Sequence, residues 1–356
     1  MKHKTIQVGT GGFGAGWCGQ FLPLFQREGR VEVVAAVDTD PDALDNARNG
    51  LGLPPERCYT NLAQALDERE ADFCTVVVPP AHHESVIQTA FDHGLHVLTE
   101  KPLAGTFEAC VRVVDRAKAE GLKLGVTQSH RFDRDKTTLR RILAAGSYGP
   151  LDYLVSRVHV DCRRFAAWGK FRHEIADTLM LEDGVHQFDL LADLANARCE
   201  TVYAEAWTAP WGEYAGEAEA FVTLRFSNGV RALYEGNMCA AVGLNPWHQQ
   251  YLRAECRDAT LSLSQGRLER FDYNPEVKRW NTAREGSGTE IALDEQAKWA
   301  HFWLIEQFLD WLDGGPPMAT HGEANLETVA IVFAAMESIH TGQRVNVPEF
   351  LARASP

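Results

Sequence analysis

The sequence predicts an α/β protein of two domains: a doubly wound parallel sheet first, then an α+β region on a large, mainly antiparallel open sheet. Short β-branched runs alternate with amphipathic segments as far as residue 128, the pattern of parallel strands joined by crossover helices. From Leu151 onward the strand-like runs follow one another with few helical segments between them. At 356 residues the chain is also long for a single domain.

Taken in order, Thr5–Val8 reads as a strand and Gly9-Thr10-Gly11-Gly12-Phe13-Gly14 follows at once. This is G-x-G-x-x-G in the setting it requires, between a strand and a helix. There Gly9 permits a tight turn, Gly11 lets the backbone approach a pyrophosphate, and Gly14 allows close helix–strand packing. The helix N-terminus adds free N–H groups and a positive dipole end. Gly16, Gly19 and Pro23 make that helix short or kinked near Pro23. Val31–Val37 is a second strand ending in Asp38, 24 residues after Gly14, where the ribose-binding acid of such folds belongs.

Alternation continues with a helix at Leu62–Leu66, a strand at Phe73–Val78, a helix around Glu84–Asp92 closed by Gly94, and a strand at His96–Thr99. A helix at Thr106–Ala119, capped by Thr106, and a strand at Leu122–Val126 complete a Rossmann domain over residues 1–128. Residues 129–356 form the second domain, for substrate binding and oligomerisation. Its strands are expected at Leu151–Val160, Thr201–Trp207, Glu219–Phe226, Val230–Glu235, Tyr251–Cys256, Thr260–Leu263 and Arg267–Phe271. Ser227-Asn228-Gly229-Val230 is a hairpin signal, because Asn-Gly suits a type I′ turn. Helices at Glu295–Leu312 and Glu323–Thr341 close the domain.

A formal charge of −14 argues against nucleic acid or an anionic membrane surface as partner. No run of eighteen apolar residues occurs, so neither a membrane span nor a signal peptide is expected. Eight scattered cysteines without a Cys-x-x-Cys pair suit free thiols in a reducing cytoplasm. Adjacent His82 and His83 lack a carboxylate or Cys at ligand spacing, so no metal is expected.

Three stretches carry chemistry. Thr99-Glu100-Lys101-Pro102-Leu103 follows a buried strand that Pro102 stops, which puts Lys101 at a carboxyl strand end, where open α/β sheets bind ligands. In Glu182-Asp183-Gly184-Val185-His186-Gln187-Phe188-Asp189, a helix would project Glu182, His186 and Asp189 from one face. An imidazole flanked by two carboxylates has its tautomer fixed and its basicity raised, as a proton acceptor needs. The Arg163–Arg172 stretch interleaves cations with aromatics. It suits either a polyhydroxy or carboxylated substrate, met by Arg163, Arg164 and Trp168, or a subunit contact.

Glu100-Lys101-Pro102 resembles the signature of the glucose–fructose oxidoreductase / inositol dehydrogenase family. So do Val78-Pro79-Pro80-Ala81-His82-His83, Gln128-Ser129-His130-Arg131-Phe132 and the segment bearing His186, across nearly the whole chain. The resemblance implies hydride transfer between NAD(P) and a secondary alcohol or carbonyl of a sugar, polyol or related small molecule. It makes His186 the general base, Lys101 the group that stabilises the alkoxide, and Glu182 and Asp189 substrate contacts. Glu100 then orients Lys101 or its loop. Cofactor contacts are implied for Gly9, Gly11, Gly12, Phe13, Gly14, Asp38, Pro79, His83, Glu100 and Lys101. Glu182 stands where the family usually has Asp, and the usual upstream Gly-Gly is absent. Asp38, followed by Thr39-Asp40 without a cation, favours NAD over NADP. A homodimer or homotetramer through the second sheet is implied as well. An NAD-dependent glycosidase without net redox, or a nucleotide-sensing regulator, are the alternatives; a regulator is expected to lose the Lys101/His186 pair.

Overall fold

A computed structural model describes residues 1–354 and divides into two compact units, Met1–Gln128 with His301–Val329, and Ser129–Ala300 with the chain from Ala330. The first holds a six-stranded sheet of β1 (His3–Val8), β2 (Val31–Val37), β3 (Cys58–Tyr59), β4 (Phe73–Val76), β5 (His96–Thr99) and β6 (Leu124–Val126). The strand order is β3-β2-β1-β4-β5-β6 and every pairing is parallel. Its strands are largely buried; all but one residue of Val31–Val37 is buried. The order reverses between β1 and β4, the switch point where such sheets open a crevice at their carboxyl ends.

After β1 the chain is helical through residues 14–27, so the helix is not short. It carries a π turn at Trp17–Phe21, where the Leu22 N–H donates to the Trp17 carbonyl. Pro23 supplies the reason: it has no N–H to continue the ladder, and the wider turn resets the register just before it. Helices Leu44–Leu51, Leu62–Glu68, Pro80–Asp92 and Phe107–Glu120 connect the remaining strands. Pro80–Asp92 starts a turn earlier than its apolar pattern suggested, because Pro80 is pre-set for the first helical position. Thr106 caps the last helix, its hydroxyl accepting the Ala109 N–H at 3.2 Å.

Both C-terminal helices were expected in the second domain, and that assignment needs correcting. Residues 301–329 belong with the first unit. Phe308, from the Ala300–Leu312 helix, packs edge-on against Phe73 of β4 at 5.4 Å. Met318 and Phe308 lie so close over Gly125 that a Cβ there would meet Met318 Sδ at 2.2 Å. The Val126 N–H donates to the Thr320 carbonyl at 3.0 Å. That helix also begins at Ala300 rather than at Glu295. The division between units falls inside the Gly322–Thr341 helix.

The second unit is built on nine strands: β7 (Leu151–His159), β8 (Cys199–Trp207), β9 (Glu219–Phe226), β10 (Arg231–Asn237), β11 (Tyr251–Cys256), β12 (Ala259–Ser264), β13 (Arg267–Asp272), β14 (Thr289–Glu290) and β15 (Val345–Asn346). Their order is β14-β13-β12-β11-β7-β10-β9-β8-β15, antiparallel throughout except for β7 beside β10. One face meets the Val185–Ala195 helix, to which Ser156 of β7 is tied by a 2.9 Å hydrogen bond to Gln187. The other face is open: along β9, Phe221, Thr223 and Arg225 are exposed while Val222, Leu224 and Phe226 are buried.

The Asn-Gly turn joins β9 to β10, but not as type I′. Gly229 has φ +88° while Asn228 is not left-handed, and Phe226 bonds both the Gly229 N–H and the Val230 carbonyl at 2.9 Å. That is a type I turn with a glycine bulge. Asn228 is held there because its amide donates to the Ala195 carbonyl at 2.9 Å. The Arg134–Ala144 and Val347–Ala354 helices and the two-residue strands β3, β14 and β15 were not anticipated. Among the described residues no helix is long and apolar enough to cross a membrane, and no group of three metal-ligating side chains forms.

Candidate active site

In the first unit the candidate residues gather at the carboxyl ends of β1, β2, β4 and β5. Gly9 has φ +85°, and a Cβ on it would lie 2.0 Å from the Val77 carbonyl oxygen. A Cβ on Gly14 would lie 2.3 Å from the Gly9 carbonyl oxygen. Both glycines are therefore demanded by the turn itself. Gly11 differs: its nearest neighbours would be Ala43 at 3.4 Å and Asp38 at 3.8 Å, ordinary contacts, and Gly12 faces open space. Nothing in the protein requires Gly11 to be bare, so its bareness suits something outside the chain that comes against the backbone.

Asp38 is fixed by this turn. Its Oδ2 accepts the N–H groups of Thr10 at 2.7 Å and Gly11 at 3.0 Å, and its Oδ1 accepts the Asp40 N–H at 3.0 Å. Phe13, half-exposed, opens an aromatic group with Phe21, Trp17 and His301, the last stacked on Phe21 at 4.7 Å.

Glu100 lies buried at the end of β5 and accepts from Trp17 Nε1 at 3.0 Å, with His301 Nε2 at 3.2 Å. Burial alone would raise its pKa. The hydrogen bond and charge of His301, with the Lys101 charge, hold it instead below the usual carboxylate range. The Lys101 N–H donates to the Glu100 carboxylate at 3.3 Å, which anchors the loop that bears the half-buried Lys101. The Lys101–Pro102 bond is cis. Pro79 is the exposed cap of the Pro80–Asp92 helix.

His83 is placed differently from its expected role at the cofactor. It is fully buried, with Nε2 on the Val78 carbonyl at 2.8 Å and Nδ1 on Thr99 Oγ1 at 3.3 Å, so it ties the ends of β4 and β5 together. Burial pushes its pKa down, against the Val78 bond and the Glu100 charge. An unfolded His takes a proton near pH 6.5, which the folded one resists, so the folded state loses stability as pH falls through that value. In His83→Leu the fall in melting temperature between pH 7 and pH 5 should be smaller, as read by calorimetry.

In the second unit the decisive stretch is not one regular helix. Met180–Gly184 winds as a π turn that runs straight into the Val185–Ala195 helix. Glu182, Asp183, His186 and Asp189 are all buried. The two carboxylates expected beside His186 each engage a guanidinium: Glu182 meets Arg172 Nε at 2.8 Å, and Asp189 meets Arg131 Nε at 3.2 Å. Asp183 accepts the Tyr234 hydroxyl at 2.5 Å, and burial, then that carboxylate, push the phenol well above its ordinary value. His130 stacks flat on His186, centroids 3.7 Å apart and planes 3° from parallel, and His248 tilts against His130 at 4.2 Å.

Two family models match the chain: the oxidoreductase family NAD-binding Rossmann fold over residues 6–128, and the C-terminal alpha/beta domain of the same family over residues 142–347. The chain belongs to the glucose–fructose oxidoreductase / inositol dehydrogenase (Gfo/Idh/MocA) family. It is 44% identical to an uncharacterized protein, y4oX, of Sinorhizobium fredii, over 99% of this chain and 97% of that one. It is 25% identical to a D-apiose dehydrogenase of Paraburkholderia graminis, over 91% and 85%. An oxidoreductase of Agrobacterium radiobacter, crystallised with NAD+, L-tartaric acid and magnesium, superposes with a TM-score of 0.82 at 20% identity, covering 98% of this chain and 99% of that one.

For a Gfo/Idh/MocA protein the glycine turn fits a dinucleotide: Gly11 and Gly12 leave room over the backbone, at the start of a helix, beside a fixed acid. The Arg163–Arg172 stretch fits its expected role less well. Arg163 pairs with Asp161 at 2.9 Å and bonds the Ala240 carbonyl, while Arg164 is exposed. Trp168 stacks on Trp247 at 4.2 Å and has the Arg172 guanidinium 4.5 Å from its ring centre. Both contacts use its ring within the protein, so less of it remains for a sugar.

Sequence reading gave no role to His130, Arg131 and His301, and had Arg172 only within the Arg163–Arg172 stretch, not as the partner of Glu182. His130-Arg131 lies in the segment that resembles the family, which was the available signal, but no periodicity ties it to His186.

Proposed function

We propose that this chain is an NAD-dependent dehydrogenase that moves a hydride between nicotinamide and a secondary alcohol, or its carbonyl, on a sugar, polyol or related small molecule. The observation that carries the reading is Lys101, anchored through Glu100 at the carboxyl end of β5 in a sheet whose glycine turn fits a dinucleotide. When bound, NAD supplies the hydride acceptor. His186 takes the hydroxyl proton, and the Lys101 ammonium offsets the charge that grows on the oxygen. In the reverse direction the same two groups deliver a proton to a carbonyl. Arg131 and Arg172 hold Asp189 and Glu182 as fixed acceptors for substrate hydroxyls. Arg172 also gives the longer Glu182 arm a defined position where the family usually has Asp.

The test incubates the protein with NAD and a panel of sugars and polyols, D-apiose and myo-inositol among them, and follows NADH with product. Stoichiometric NADH is expected. Glycoside cleavage without net NADH, with solvent deuterium entering the ring, would point to a glycosidase instead.

NAD is preferred over NADP because Asp38 would repel a 2′-phosphate and no cation follows it. Asp38→Ala should weaken NAD binding by about tenfold, the cost of losing a hydrogen bond to a charged group, and narrow the gap to NADP. Equal binding of both cofactors by the unaltered protein, measured by calorimetry, would overturn this. A homodimer or homotetramer through the open sheet face is proposed from the exposed Trp207, Phe221 and Leu233; light scattering tests it. Eight free cysteines fit a reducing cytoplasm.

A further inference from the structure

His130 comes directly after the Rossmann segment, outside the residues assigned to proton transfer or substrate contact. It is buried, and its ring lies flat on His186 at 3.7 Å, a contact between residues far apart in sequence. We infer that His130 is a positioning residue for His186: the stacked imidazoles take up one proton between them and refuse a second. The inference rests on the reading of His186 as the general base.

The physical reason is distance. Two imidazolium rings face to face at 3.7 Å repel, in surroundings from which water is largely excluded. An imidazolium against the face of a neutral aromatic ring is attracted. The pair therefore titrates as a unit, its first proton welcomed and its second opposed. The other titratable groups nearby have partners of their own. From the π turn and its helix come Glu182, Asp183 and Asp189, engaged by Arg172, Tyr234 and Arg131 respectively. Against His130 also tilts His248, half-exposed, with Nδ1 on Asp133 at 2.9 Å; Lys136 lies 3.3 Å from the same carboxylate. Of these groups, the His130 ring lies flat against His186, so a charge on one bears directly on a charge on the other. In the reaction, the alcohol proton moves to His186, the hydride leaves for nicotinamide, and the product is a carbonyl. The neutral His130 face then supports the new imidazolium until its proton passes to solvent.

The test is a pH titration by NMR of the full chain carrying Cε1-labelled histidine, with His130→Phe, His130→Leu and His186→Asn for assignment and comparison. NADH binding serves as the check that each variant is folded. In the unaltered protein the His186 signal should lie upfield, under the ring current of its neighbour, and titrate in two steps. His130→Phe, which keeps a ring but no proton, should keep the upfield position and titrate in one step. His130→Leu should lose both features. A His186 signal whose position and titration are the same in all three proteins overturns the inference. The readout needs no turnover, so a failed base assignment, seen as an active His186→Asn, is told apart from a failed pairing.

Discussion

Lys101→Ala and His186→Asn should each lower turnover by about 10²- to 10⁴-fold, the range by which a positioned acid, base or charge accelerates proton transfer. NAD affinity should change far less, because the glycine turn and Asp38 carry most of the dinucleotide binding in this reading. In the proposed mechanism both side chains act on one oxygen, so the double mutant should be far less impaired than the product of the single losses. Lys101 is the cleaner case: its loop is held by the Glu100 carboxylate, itself bound by Trp17 and His301, so removing the amine leaves the support in place. Near-normal turnover in either single variant, on a substrate the unaltered protein oxidises, would sink the mechanism.

Gly9→Ala should unfold the first unit or cost it about 4 kcal/mol or more, within the tail reserved for steric conflict and backbone strain. The added methyl would sit 2.0 Å from the Val77 carbonyl oxygen, on a residue at φ +85°. That oxygen belongs to backbone just past β4, so no side chain can swing away to relieve the clash. Gly11→Ala is the informative control. Its Cβ meets only ordinary contacts, the closest at 3.4 Å, so its melting temperature should barely move while its NAD affinity falls. A Gly11→Ala variant that binds NAD as well as the unaltered protein would remove the support its bareness lends to the cofactor reading.

Much of the fold is legible in local pattern. The limits of β9 and β11 follow from alternation along single strands, and the roles of Gly9 and Gly14 follow from sterics within a few residues of strand, turn and helix. Thr106 as a cap and the Lys101 strand end are of the same kind. Such features depend on periods of two or 3.6 residues and on backbone angles, which a linear chain displays openly.

The candidate site is legible only in part. His186 could be picked out as a residue, but the His130 ring on its face lies 56 positions away, and no periodic signal links them. Glu100 finds His301 across 201 residues, so the placement of the 301–329 segment in the first unit also had no local mark. Within one stretch, spacing marked Glu182, His186 and Asp189 as candidates, but neither the π turn nor the guanidinium partner of each carboxylate is visible in it. Composition and period determine which elements form and which side chains are candidates. Which buried charge meets which partner is decided by packing, because a desolvated carboxylate or imidazole must find its counterpart wherever the folded chain brings one within about 3 Å.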